Sequence, residues 1–150
     1  MRCSDLLTAE AWEANRYLLE DHERSPFVSD TVRDRLLSGS RVTSAQLAQA
    51  RAFQGSFTAL LTGWLERVEL LALPSAAMFP PLLEDAASMP YNRLTNPINL
   101  AGLPALSLPV AGSTPIPSSL QLVGGENSED LLVATGLRVE AAVGGSPFRT

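Results

Sequence analysis

A mixed α/β fold, with a small mixed sheet packed with several helices, is what this sequence predicts. Three observations carry the prediction. From about Thr8 to Val68 the apolar residues recur at helical spacing, three and four apart. After that, short apolar runs alternate with proline- and glycine-rich punctuation, as strands and turns do. The helical period then returns before the end of the chain. With 150 residues, 45% of them hydrophobic and 18% charged, the chain can bury one core. We therefore expect a single domain over residues 1–150. It should be mainly helical through residue 68, with strands, a loop and a closing helix over 69–150.

Each element has its own warrant. "TAEAWEANRYLLEDHER" offers Thr8 as an N-cap and Glu10 in the first turn, with Leu7, Ala11, Ala14 and Leu18 on one face. "SDTVRDRLLSGS" reads as a shorter helix capped by Ser29 or Asp30 and stopped near Gly39. The longest helix follows in "TSAQLAQARAFQGSFTALLTGWLERV". Thr43 and Gln46 are spaced as a capping box there, and the stripe runs Leu47, Ala50, Phe53, Phe57, Leu60, Leu61, Trp64, Val68. "ELLALPS" is a buried-strand candidate ended by proline. "AAMFPPLLEDAASMPYNR" is a long loop, and "NPINLAG" a helical turn with Thr95 or Asn96 as cap and Pro97 in first position. "ALSLPV" and "SSLQLVG" are two further strands joined by the "AGSTPIP" turn. "NSEDLLVATGLRVEAAV" closes as a helix, with Asn127 as cap and Glu129 and Asp130 against the dipole. Its apolar side should be Leu131, Leu132, Thr135, Val139 and Ala142.

Composition removes several chemistries. A net charge of −5 gives no basic footprint for nucleic acid, and no basic amphipathic stretch suggests a membrane surface. No apolar run approaches the roughly 20 residues of a membrane span, and the first residues carry acids where a leader would be apolar. A cytoplasmic protein is expected. Cys3 and His22 are the only residues of their kinds, so an internal disulfide and a Cys/His zinc site cannot be assembled. We expect no cofactor and no metal. All eleven basic residues are arginine. Arginine stays protonated, so Schiff-base and lysine-assisted chemistry have no base in this sequence.

One stretch, "TNPINLAGLPALSLPVAG", is crowded with proline and glycine and nearly free of charge. Small residues and prolines let a loop and a turn pass close to a sheet without polar side chains that need partners. Its pattern is specific. Thr95, Asn99-Leu100-Ala101-Gly102-Leu103-Pro104, Ser107 to Pro109 and Leu120-Gln121-Leu122-Val123-Gly124 resemble the C-terminal part of the amidase signature family. Glu129, Leu131 and Leu132 add to the likeness, and "LLALPS" sits where the family has an apolar strand ending in Pro-Thr. The resemblance implies part of an α/β/α fold. It also implies hydrolysis of carboxamide C–N bonds by a Ser-cisSer-Lys triad, the lysine lying on an earlier strand and the nucleophile in a Gly/Ser-rich loop.

Those reacting groups are not in this sequence. Ser118-Ser119 is the only serine pair, without a glycine bed or a lysine, and a turn-to-strand role is its default reading. Ser107 is read as a strand serine. Glu84-Asp85 reads as a solvated loop pair, and Glu126, Glu129 and Asp130 as helix-start acids. We assign no catalytic residue. Pro74, Ser75, Asn92 and Arg93 are the candidate substrate-binding residues. In family members that draw ammonia from glutamine, an aspartate tends to occupy the position of Asn92, which argues against a tRNA-amidotransferase parent. The function expected is that of an amidase-like chain, inactive alone. The alternatives are a non-catalytic binding or self-associating module, or one half of a split amidase. A homo-oligomer or a complementary catalytic chain would join through an exposed sheet edge, and a small amide would be bound only after that complementation.

Overall fold

The computed structural model describes residues 2–85, 91–111 and 116–143. The chain divides into two compact units, Met1–Phe57 and Thr58–Thr150.

The first unit is helical. Helix α1 spans Arg2–Asn15, so it begins well before the predicted cap. Thr8 lies inside it, where its hydroxyl donates to the Ser4 carbonyl at 2.8 Å. A threonine satisfied by the preceding turn does not compete with helix propagation, which is why it fails to start the helix here. The buried side chain of this segment is Leu6, 2% exposed, whereas Leu7 is 60% exposed, so the expected face is displaced by one residue. A short α2, Tyr17–Glu20, and a 3-10 turn, Ser25–Phe27, lead into α3, Asp30–Gly39. Arg33 clamps that 3-10 turn through a 2.7 Å bond to the Ser25 carbonyl. Helix α3 packs on α1. Its last residue, Gly39, is buried so closely that a Cβ would collide with the Thr8 carbonyl and meet the Trp12 side chain.

Helix α4 spans Ser44–Leu65. Its capping box forms as spaced: the Gln46 amide donates to Thr43 Oγ1 at 3.2 Å, and the Thr43 amide to Gln46 Oε1 at 2.9 Å. Phe53 and Phe57 stack 5.9 Å apart with rings 12° from parallel. Ala50 and Leu61 on the expected stripe are buried, but Leu60 and Trp64 are each 48% exposed, and Val68 lies past the helix end.

In the second unit, β1 (Leu70–Pro74), β2 (Ala105–Val110) and β3 (Ser118–Gly124) form a sheet in the order β1-β3-β2. The small sheet is where the sequence places it. Its described pairings are all antiparallel rather than mixed. The "AGSTPIP" turn joining β2 to β3 falls partly on residues 112–115, outside the described residues, as residues 86–90 of the long loop also do. Helix α5 spans Asn96–Ala101 with Thr95, one of the two expected caps, at the N-cap and Pro97 second rather than first in the helix; Gly102 at φ 70° ends it.

Helix α6 spans Glu129–Ala142 and lies on β2 and β3. Ser128, not Asn127, occupies its N-cap position, and the Ser128 hydroxyl donates to the Gly125 carbonyl at 2.7 Å. Asn127 instead takes φ 61°, a left-handed conformation that asparagine tolerates. Leu132 and Gly136 are the buried residues of α6, while Leu131 is 37% and Leu137 63% exposed. Gly136 lies against Leu106 and Leu108 of β2.

Register then sorts the two sheet faces. Leu106, Leu122 and Ala72 stand opposite one another on the α6 side. Ser107, Gln121 and Leu73 share the other face, where Gln121 is 2% exposed. The Ser75 amide donates to the Ser119 carbonyl at 3.3 Å, so the polar groups of Ser119 point toward β1. Antiparallel alternation therefore turns the nitrogens of Pro74 on β1 and Pro109 on β2 away from β3, the one place in such a ladder where proline removes no bond.

Candidate functional site

A pocket of about 510 Å³ opens at one end of this sheet. Its wall is Pro74 at the end of β1, residues 76–80 of the following segment, and residues 117–119 entering β3. The pocket exists because β1 and β3 run antiparallel, which brings the exit of one strand beside the entrance of the other. The Ser75-to-Ser119 backbone bond fixes that junction. Three prolines, two alanines, Met78, Phe79 and two serines line it, and none of these side chains is charged. Met78 and Phe79 are 41% and 54% exposed, as residues at an open mouth are.

Polar contacts tie the sheet together nearby in the chain. The Ser75 hydroxyl donates to Ser107 Oγ at 3.0 Å. Gln121, opposite Ser107, makes a long 3.5 Å contact through Nε2 to the Leu94 carbonyl, in the segment that enters α5. The Gly124 amide donates to the Pro104 carbonyl at 3.1 Å, tying the far end of the proline- and glycine-rich stretch to β3.

The four candidate residues separate accordingly. Pro74 lines the pocket, whereas Ser75, between two wall residues, is not part of the wall and bonds instead to Ser107. Asn92 and Arg93 lie in a short 3-10 turn, Tyr91–Arg93, and neither is part of the pocket wall. There the Asn92 carbonyl accepts from Thr95 Oγ1 at 3.4 Å. Met78 and Phe79 line the pocket although the sequence does not single them out. The antiparallel pairing of "LLALPS" with "SSLQLVG" is the signal that would have placed Ser119 beside Ser75. Glu84 and Asp85 are exposed at a turn, and Glu126, Glu129 and Asp130 are exposed around the α6 start. Among the described residues no group of three or more His, Cys, Asp or Glu side chains is placed to hold a metal. Such a wall offers shape, apolar surface and neutral hydroxyls: equipment for binding an uncharged group.

Fold and site together define an α/β protein with an uncharged pocket at a sheet end, and comparison with known proteins gives its family. The amidase family model matches residues 5–133. The chain belongs to the amidase family. It is 43% identical over 51 residues to a glutamyl-tRNA(Gln) amidotransferase subunit of Streptococcus pneumoniae, covering 34% of this chain and 10% of that protein. It is 36% identical over 87 residues to the corresponding mitochondrial subunit of Drosophila pseudoobscura pseudoobscura, covering 52% and 17%. Among solved structures, an amidase superposes with a TM-score of 0.75 at 28% identity, over 94% of this chain and 34% of that one. The chain therefore spans 10% and 17% of these two curated relatives and 34% of the solved amidase. Among the described residues no helix is long and apolar enough to cross a membrane.

Proposed function

We propose that this segment supplies the wall and floor of an amide-binding site, and that the nucleophile and its base come from a complementary amidase segment. Pro74 and Ser75 serve the pocket, while Asn92 and Arg93 present a polar turn to the substrate's outer end. One observation carries the reading: the sequence contains no lysine, so the proton acceptor of a Ser-Ser-Lys triad has no candidate here. The neutral pocket supports it, because a serine among prolines and alanines has no neighbour to activate it.

The complementary chain would join along the sheet margin, where Leu70 and Ala72 of β1 turn their amides away from β3. A self-associating module is the second reading. It is favoured by the apolar side chains left outside on α6, where Val133 is 53% and Leu137 63% exposed. Ammonia release from small aliphatic and aromatic amides tests the main reading. The purified chain should release none above background, and serine-dependent turnover by the pure chain would refute it. Light scattering then separates the two readings: a stable homodimer favours self-association, and a monomer favours a complementary chain.

A further inference from the structure

We infer that the outer edge of β1 docks an extended segment of the complementary chain, and that this segment carries basic side chains at the end lying beside Glu69. This rests on the proposed division of the site between two segments and deepens it by naming the chemistry of the partner. Backbone geometry comes first. The order β1-β3-β2 leaves one side of β1 without a strand among the described residues. The Ser75 amide turns toward β3, so antiparallel alternation turns the amides of Leu70 and Ala72 the other way, with the carbonyls of Leu70, Ala72 and Pro74. Ala72, at the middle of the strand, is exposed. Outward donors and acceptors in this alternation are what an added strand pairs with.

Charge names the occupant. Leu70 is paired with Gly124, so Glu69 and Glu126 leave the sheet at the same end. Helix α6 starts there too, and Glu129 and Asp130 in its first turn offset the helix dipole. Glu69 and Glu126 have no such role: both are exposed, and neither has an ion-pair partner among the described residues. Arg67, the base nearest to Glu69 in the chain, pairs with neither. Strands β2 and β3 bring no base either, because residues 94–125 contain no charged side chain. An added strand that ends in arginine or lysine beside Glu69 gains attraction there, and one that ends in acid is repelled. A second copy, with the same net charge of −5, has no such gain. At the Pro74 end the pocket wall is uncharged and adds no preference.

The test uses the full chain, labelled with nitrogen-15, and follows its amides by NMR. The probe is an acetylated, amidated heptapeptide of alternating threonine and valine with arginine at both ends, so that either strand direction is served. Its counterpart carries glutamate at both ends. At about 10 mM salt, where screening sets in only beyond about 30 Å, the arginine-ended peptide should shift Leu70 and Ala72 saturably and bind about 5-fold tighter than its counterpart. At about 1 M salt, with a screening length of about 3 Å, the two should bind alike. Ala72→Pro removes an outward amide and no bond to β3, and should weaken binding about 10-fold. Ala72→Val keeps the amide and should bind as the parent does. Glu69→Arg should erase the preference for arginine ends, and it decides the matter if circular dichroism shows Ala72→Pro to be unfolded. No saturable binding, equal binding of the peptides at low salt, or a folded Ala72→Pro chain that binds undiminished would each overturn the inference. Shifts at Leu70 and Ala72 that grow with protein concentration alone would put a second copy on the edge and overturn it too. Ammonia release is read separately: turnover by the chain alone would overturn the proposed function and leave the docking result standing.

Discussion

The Ser75 hydroxyl donates to Ser107 Oγ at 3.0 Å, tying the residue after β1 to the middle of β2 across the intervening strand β3. This bond links the two outer strands of the described sheet. Its worth is limited by the exposure of Ser107 to water. Single Ser75→Ala and Ser107→Ala changes and the double variant should give a coupling of about 0.5–1 kcal/mol in urea titrations. Strictly additive losses would mean that the two hydroxyls do not act together.

Gln121 makes a second prediction. It is the polar residue most deeply placed in β3, and its bond to the Leu94 carbonyl is long at 3.5 Å. A bond at that limit is weak, so the volume of the side chain should outweigh its polarity. Gln121→Met, nearly isosteric, should cost about 1 kcal/mol or less, and Gln121→Ala about 2–3 kcal/mol through the cavity it leaves. Equal losses for the two variants in chemical denaturation would show that the amide, not the shape, matters.

The third concerns the helical unit. Gly39 lets α3 end against the Thr8 carbonyl of α1, and backbone cannot yield as a side-chain tip can. Gly39→Ala should therefore destabilise by about 2–3 kcal/mol, although alanine is the better helix former. Gly55→Ala, where nothing lies in the way of a Cβ, should instead stabilise by up to about 1 kcal/mol. If thermal melts move both variants in the same direction, the close approach is not what Gly39 is for.

What was legible in the sequence was local. The Thr43–Gln46 box and the Thr95–Pro97 start of α5 each depend on a few consecutive residues, and each forms where the pattern put it. Strands β1, β2 and β3 were readable from short apolar runs between turn residues for the same reason. What failed was decided by packing. Leu6 rather than Leu7 is the buried leucine of α1, a choice made by tertiary contacts and not by the helical period. The α6 start moved from Asn127 to Ser128 because the chain leaving Gly124 takes a left-handed step at Asn127. Met78 and Phe79 come to line the pocket only once strand register has set Ser119 next to Ser75. No period within either segment encodes that meeting.

The outward-turned nitrogens of Pro74 and Pro109 leave each flank of the ladder one donor short. A guest segment laid along β1 would find donors at Leu70 and Ala72 and then a carbonyl with no amide beside it. Growth is thereby given a stopping point. Indefinite stacking of copies into fibrils meets a gap every time it tries to propagate, while one correctly phased visitor can still dock.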